Sequence, residues 1–399
     1  KINVIDTPGY FDFVGEVKQG IRVADSAVIL VSAKSGVSVG TEKAWAQAQE
    51  RSIPTVFFVN KMDDENANFF KTLDQLVATF GKNIIAFQVP IVENAKFTGY
   101  VDVINMKAKK FDKDKLIDAD IPSELNDKIE EIRNALIEAV AETSEELMEK
   151  FFDGQEFKTE EISKGLRQGI KDGTLVPVFC GSATSNLGVK PLMDSIIEFM
   201  PSPVDAGVVK AKKLGKDEVL ELKTSEDAPL SALVFKTIAD PFVGKISMIR
   251  VFSGTLKSES VVYNTTTGKT EKISQLFMLR GKKNIPVDKL VTGDIGAVAK
   301  LQSVNTNDTL CTQENPVVLD KIPFPEPVMS MAVQPTSKGD EEKISSGLNK
   351  LQDEDPTFKV STNTETHQTL ISGMGEIHLD VIVNKLKSKF GVSVELTPP

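Results

Sequence analysis

The 399-residue sequence carries a formal net charge of -10, with 40% hydrophobic and 26% charged residues. That balance excludes a disordered chain and argues against the molecule as a whole acting as an electrostatic binder of nucleic acid. No run approaches the roughly eighteen apolar residues that span a bilayer, and the amino terminus lacks the layout of a signal peptide, so a cytoplasmic monomer without a membrane partner is expected.

The length exceeds what one core accommodates and suggests about two to three domains. From the amino terminus to about residue 204, short apolar runs alternate with helical patterns, the mark of a parallel sheet built from βαβ units. The expected strands are residues 2–5, 27–32, 55–59, 84–89 and 175–180, and Phe13, Val17, Ile21 and Ala24 recur at helical spacing between the first two. Residues 93–173 break the alternation, with a strand-like stretch at 100–106 and then helices rich in Glu and Lys, and read as an insertion. Pro201 and Pro203 mark a boundary, and the charged residues 205–228 read as a linker.

Residues 229–320 turn to short β-rich runs punctuated by Gly244, Gly254, Gly268, Gly281 and Gly293, which suggests a small barrel. The prolines at 323, 325 and 327 lead into a last unit, residues 326–399. There the order is strand, helix (Ile344, Leu348, Leu351), strand, strand, helix (Leu379, Ile382, Leu386, Phe390), strand, the split βαβ or ferredoxin-like arrangement. Cys180 and Cys311 stand far apart in apolar runs and read as buried thiols. Three lysine-rich clusters, Lys107/Lys109/Lys110, Arg280/Lys282/Lys283 and Lys385/Lys387/Lys389, read as solvated faces. His367 and His378 have no ligand-spaced partners for a transition metal.

Three short peptides carry the chemistry. Asp6-Thr7-Pro8-Gly9 follows the run 2–5, Asn60-Lys61-Met62-Asp63 follows the run 55–59, and Gly181-Ser182-Ala183 follows the run 175–180. Each stands where a buried strand gives way to a polar loop, the place where open α/β sheets bind ligands. Asp63 can accept two hydrogen bonds from the adjacent ring NH and exocyclic amine of guanine, a pair that adenine does not offer. Asn60 would tie its loop to its neighbours, the stem of Lys61 would lie over the base, and the Ala183 NH would meet the guanine oxygen. At the first loop, Asp6 would hold magnesium through water, and Pro8 and Gly9 would face the terminal phosphate, with glycine leaving its NH open. Together the peptides read as a pocket for GTP or GDP with Mg2+.

With Asn66 to Phe69 (Asn66-Ala67-Asn68-Phe69), Asp240-Pro241-Phe242-Val243-Gly244 and Gly373-Met374-Gly375-Glu376-Ile377-His378-Leu379, these residues closely resemble bacterial elongation factor G over essentially the whole chain. The resemblance implies a P-loop-type GTPase domain with a helical insertion, a β-barrel and an α+β domain. It further implies a translational GTPase whose partners are the ribosome and, indirectly, transfer RNA and messenger RNA. His378 and Lys385 are then expected to face a partner. The phosphate-cradling G-x-x-x-x-G-K-[ST] loop and the switch threonine of that family occur nowhere in these residues, nor do its two carboxy-terminal domains. A fragment of a larger factor is therefore expected, weak in nucleotide binding and inactive alone. Tyr10 stands at the catalytic position usually held by a water-orienting histidine, and a phenol cannot become a cation as imidazole can. A specialised paralogue, a nucleotide-gated ribosome binder without hydrolysis, and a ribosome-protection or release-factor relative stay open, although the insertion at 93–173 leans toward elongation factor G.

Overall fold

The computed structural model describes residues 1–399 apart from 114, 241–243, 282, 302 and 338, so the centre of the 240–244 motif and Lys282 lie outside the described residues. Packing separates the chain into two units, Ala24–Ser202 and Lys1–Val23 with Pro203–Pro399.

The expected first strand at residues 2–5 is not formed, and the first long element is helix α1 (Val14–Arg22). A run of four residues gains little unless a neighbour completes its ladder, and no described strand pairs with it. Ile2 and Val4 stay exposed. Lys1 Nζ reaches Asp294 at 2.5 Å, and Ile5 lies against the apolar cluster of Val23, Leu233, Phe235 and Phe252.

The unit Ala24–Ser202 follows the α/β pattern: β1 (Ala27–Ser32), α2 (Val39–Glu50), β2 (Thr55–Asn60), α3 (Phe69–Phe80) and β3 (Ile84–Ala86). The insertion then supplies β4 (Gln88–Glu93), β5 (Lys96–Asp102), β6 (Lys107–Asp112) and β7 (Lys115–Ala119), followed by α4 (Asn126–Ala141), α5 (Glu145–Phe152) and α6 (Thr159–Asp172). β8 (Val176–Cys180) and α7 (Val189–Phe199) close the unit. The main sheet is parallel in the order β1, β2, β8, β3, and β2 is buried from Thr55 through Val59 because it is flanked on both edges. The insertion is more β-rich than its sequence suggests. β4 to β7 form an antiparallel meander, and the charged alternation of β6 and β7 conceals it, since Lys109 pairs with Asp118 and Lys110 with Glu93 across strands while Phe111 packs on Phe97.

In the other unit, the segment expected as a linker carries β9 (Val208–Lys213) and β10 (Val219–Lys223), paired with Val317–Leu319 in a three-stranded sheet. Only Ala211 of β9 is buried, so the strand lacks an apolar signature. An eight-stranded antiparallel sheet, with the long hairpin β11 (Ser231–Asp240) and β12 (Gly244–Ser253) at its centre, wraps a core that includes Val234, Ile249, Leu290 and Val298. The last domain places α8 (Glu341–Glu354) and α9 (Glu376–Phe390) with strands in the order Lys359–Thr362, Thr369–Gly373, Met329–Pro335, Val394–Thr397, the split βαβ topology. Both cysteines are free and buried.

Two polar clusters organise this domain, and one of them corrects the expectation that His378 faces a partner. His378 is 1% exposed. Its Nδ1 accepts the Met374 NH at 3.0 Å, so the proton sits on Nε2, which donates to Asp355 Oδ2 at 2.9 Å. Its own backbone NH donates to Asp12 Oδ2 at 3.2 Å. The Asp12 carboxyl presses so closely on Gly375 that any Cβ there would collide with it. A side chain at 375 would have to displace the Asp12 carboxyl. Lys385 and Lys389 each hold Glu354 at 2.7 Å, and Glu354 also accepts the Ala239 NH at 3.0 Å.

Burial alone pushes the Glu354 carboxyl up, but Lys385, Lys389 and the Ala239 NH outweigh it and leave it below its usual range. Burial would likewise raise Asp355, and His378 and Thr357 hold it low instead. A carboxyl depressed in the folded state stabilises fully above its unfolded pKa, and that stability is lost as pH falls through the folded value. Glu354→Gln is expected to cost about 1–3 kcal/mol at pH 7, because two lysines lose their anion. The gap from wild type should narrow between about pH 5 and pH 3. Urea unfolding followed by far-UV circular dichroism across that range checks this; a gap independent of pH would assign the loss to packing.

Candidate functional site

The site grows out of the carboxyl ends of β1, β2 and β8. Their ladder does not stop where the strands do. Ala33 NH donates to Asn60 O at 2.8 Å, Gly181 NH to Val59 O at 3.0 Å, and Met62 NH to Gly181 O at 3.1 Å. Residues 60–62 and 181 are therefore held as if still in the sheet while their flanks turn away. Lys61 adopts the left-handed region with φ 64°, a conformation that costs a lysine about 1–3 kcal/mol and persists only where the surroundings fix it. Met62 is buried as the plug of this turn. Gly181 has no room for a side chain: a Cβ would lie 2.5 Å from both the Phe58 ring and Leu187 O.

The second loop is closed by the reciprocal pair Ser182 NH to Leu187 O at 2.8 Å and Leu187 NH to Ser182 O at 2.9 Å. Residues 183–186 project from it and are exposed. Asn60 Oδ1 accepts the Ala183 NH at 2.9 Å and so joins the two loops. The Ala183 NH, expected to await the base, is engaged by that side chain. Asp63 accepts the Ser185 hydroxyl on Oδ2 at 3.1 Å. Its carboxyl lies below its usual range, first through the Ser182 hydroxyl, then its own backbone NH and Ser185. Beside it, Asp64 is depressed by the Asn66 NH and by Lys34, whose Nζ stands 3.2 Å away. Asn68 donates its NH to Ala33 O at 2.9 Å and caps α3 by accepting the Lys71 NH at 3.0 Å. The 66–69 peptide thus anchors the loop to the end of β1.

The structure brings Asn60, Lys61, Asp63, Gly181, Ser182 and Ala183 together. Asp6, Pro8, Gly9 and Tyr10 lie in Lys1–Val23, which belongs to the other unit. All four are exposed, and Tyr10 is 64% accessible. Ser185 is not evident from sequence, although the Ser-x-x-Ser spacing of residues 182 and 185 after a strand end is a signal that could have found it.

The donor set at residues 60–63 and 181–185 fits a guanine base: an ionised carboxylate to accept two NH groups and, within one loop of it, a backbone NH to meet a carbonyl oxygen. Asp6 stands exposed, and among the described residues no group of three or more His, Cys, Asp or Glu could hold a metal ion.

Comparison with known proteins agrees with this geometry. Residues 1–202 match the model of the elongation factor Tu GTP binding domain, residues 229–313 that of elongation factor G domain 2, and residues 324–398 that of elongation factor G domain III. The chain belongs to the elongation factor Tu/elongation factor G family of GTP-binding translation factors. A solved structure from Thermus thermophilus is similar over 99% of the chain at 32% identity with a TM-score of 0.86. The chain spans 56% of that structure's length. Among the described residues no helix is long and apolar enough to cross a membrane.

Asp63→Asn replaces two acceptors by one donor and one acceptor, which mismatches guanine and matches the 2-oxo, N1–H edge of xanthine. Guanosine diphosphate is expected to lose about 100-fold or more in affinity while xanthosine diphosphate gains. Equilibrium competition among guanosine, xanthosine and adenosine diphosphates decides it; an unchanged order of preference would place base recognition elsewhere.

Proposed function

We propose that this chain is the base-reading and coupling portion of a ribosome-dependent GTPase of the elongation factor G type, which promotes movement of transfer RNA and messenger RNA. The observation that carries the reading is the joining of residues 60–63 to residues 181–185 at the carboxyl edge of a parallel sheet, followed in the chain by domains matching elongation factor G domains 2 and III. Under this reading Asp63 selects guanine, Asn60 aligns the loops, and Lys61 covers the base. The 399 residues by themselves, which hold no phosphate-cradling glycine loop, bind nucleotide weakly and hydrolyse none.

GTP turnover by the protein carrying this chain should rise when ribosomes are added. Lack of any stimulation would overturn the reading.

A second reading, a nucleotide-gated ribosome ligand with little hydrolysis, is favoured by Tyr10. Its phenol makes no hydrogen bond to a described residue, and it stands where a water-orienting histidine is usual. Under it, Tyr10→His should raise turnover on ribosomes about 10²- to 10⁴-fold. Equal turnover by the two proteins would remove its support.

A further inference from the structure

Two groups that would read the base already have partners within the chain. Asp63 Oδ2 accepts the Ser185 hydroxyl at 3.1 Å, and the Ala183 NH is held by Asn60 Oδ1 at 2.9 Å. A guanine using the carboxylate competes with the Ser185 hydroxyl for Oδ2, so binding there is in part an exchange of bonds. The two internal bonds differ in kind. Asn60 lies at the end of β2, half-buried and fixed by the sheet, whereas Ser185 stands in the exposed 183–186 projection. Of the two, the bond with the freedom to open is that of Ser185.

We propose that Ser185 is a residue setting base affinity: its hydroxyl holds Oδ2 of Asp63 when the site is empty and competes with guanine, whose two NH groups draw on both carboxylate oxygens. This inference rests on the reading of residues 60–63 and 181–185 as a guanine site. The depressed Asp63 carboxyl agrees with it, since the hydroxyls of Ser182 and Ser185 are among the causes. A Ser185 that instead held Asp63 ready for the base would have the opposite effect on affinity, so the sign of the change discriminates.

The test uses the 399-residue chain, labelled with 15N and titrated with guanosine and separately with adenosine, following the Ala183 and Asp63 amides. Ser185→Ala removes the hydroxyl from an exposed loop position. Because a hydrogen bond of this type is worth a factor of a few to about ten in equilibrium, guanosine should bind Ser185→Ala about three- to tenfold more tightly than wild type. Adenosine should respond alike in both, and Ser185→Thr, which retains a hydroxyl, should stay near wild type. In the ligand-free chain the carboxyl of Asp63 should titrate at higher pH in Ser185→Ala.

Equal or weaker guanosine binding by Ser185→Ala, or an unmoved Asp63 titration, would overturn the proposal. Absence of any guanosine preference in the wild type is a different failure: it removes the guanine-site reading itself. The Asp63 titration would still report in that case whether Ser185 holds the carboxyl.

Discussion

Two backbone hydrogen bonds beyond the strand ends, Gly181 NH to Val59 O and Met62 NH to Gly181 O, are what the loop platform of the unit Ala24–Ser202 depends on. They carry the parallel ladder one residue past β8 and two past β2, so that two loops far apart in sequence leave the sheet from one fixed platform. Everything polar above that platform follows. Lys61 can sit in a costly left-handed conformation because its successor Met62 is buried and bonded, and Gly181 is confined by Phe58 and Leu187 O so closely that no larger residue fits. Preorganisation here is a property of the backbone, and the side chains Asn60, Asp63, Ser182 and Ser185 inherit it.

A second constraint governs the other unit. His378, Asp355, Glu354, Lys385 and Lys389 form buried or half-buried polar clusters in which each charged atom has a partner. Clusters of this kind contribute little if compared with an apolar core, but breaking them is costly because a single orphaned charge is left behind. They therefore act on register more than on total stability. Asp12 meets the amino end of α9, and Glu354 meets both α9 and β11 through Ala239 NH, so small displacements of these elements would strand polar atoms. That α1 and the segment before it pack here gives residues 6–10 a setting in the unit of the barrel and the last domain.

Much of this was legible in the residues. The alternating apolar runs set the parallel sheet, the glycine-punctuated runs the β domain, and the helical faces of Ile344/Leu348/Leu351 and Leu379/Ile382/Leu386 the split βαβ unit, because burial of one face imposes a period on sequence. What stayed hidden has a common physical origin. β6, β7, β9 and β10 are largely half-exposed or exposed strands rich in lysines and acids, so their apolar period is weak. The reverse holds at residues 2–5, where an apolar run looks like a strand; a strand is a relation to a neighbour, and none of the described strands pairs with it.

The sequence by itself determined the kinds of chemistry on offer: a carboxylate at 63, an amide at 60, small residues at 181–183, each following an apolar run. Only the tertiary structure decided who meets whom. It placed the Ala183 NH on Asn60, set the Ser185 hydroxyl against Asp63, turned His378 inward to Asp355, and paired Lys385 with Glu354. The reason is that residue type follows from local burial and turn requirements, whereas a hydrogen-bond partner from 122 or 123 positions away is selected by sheet register, which no local pattern encodes.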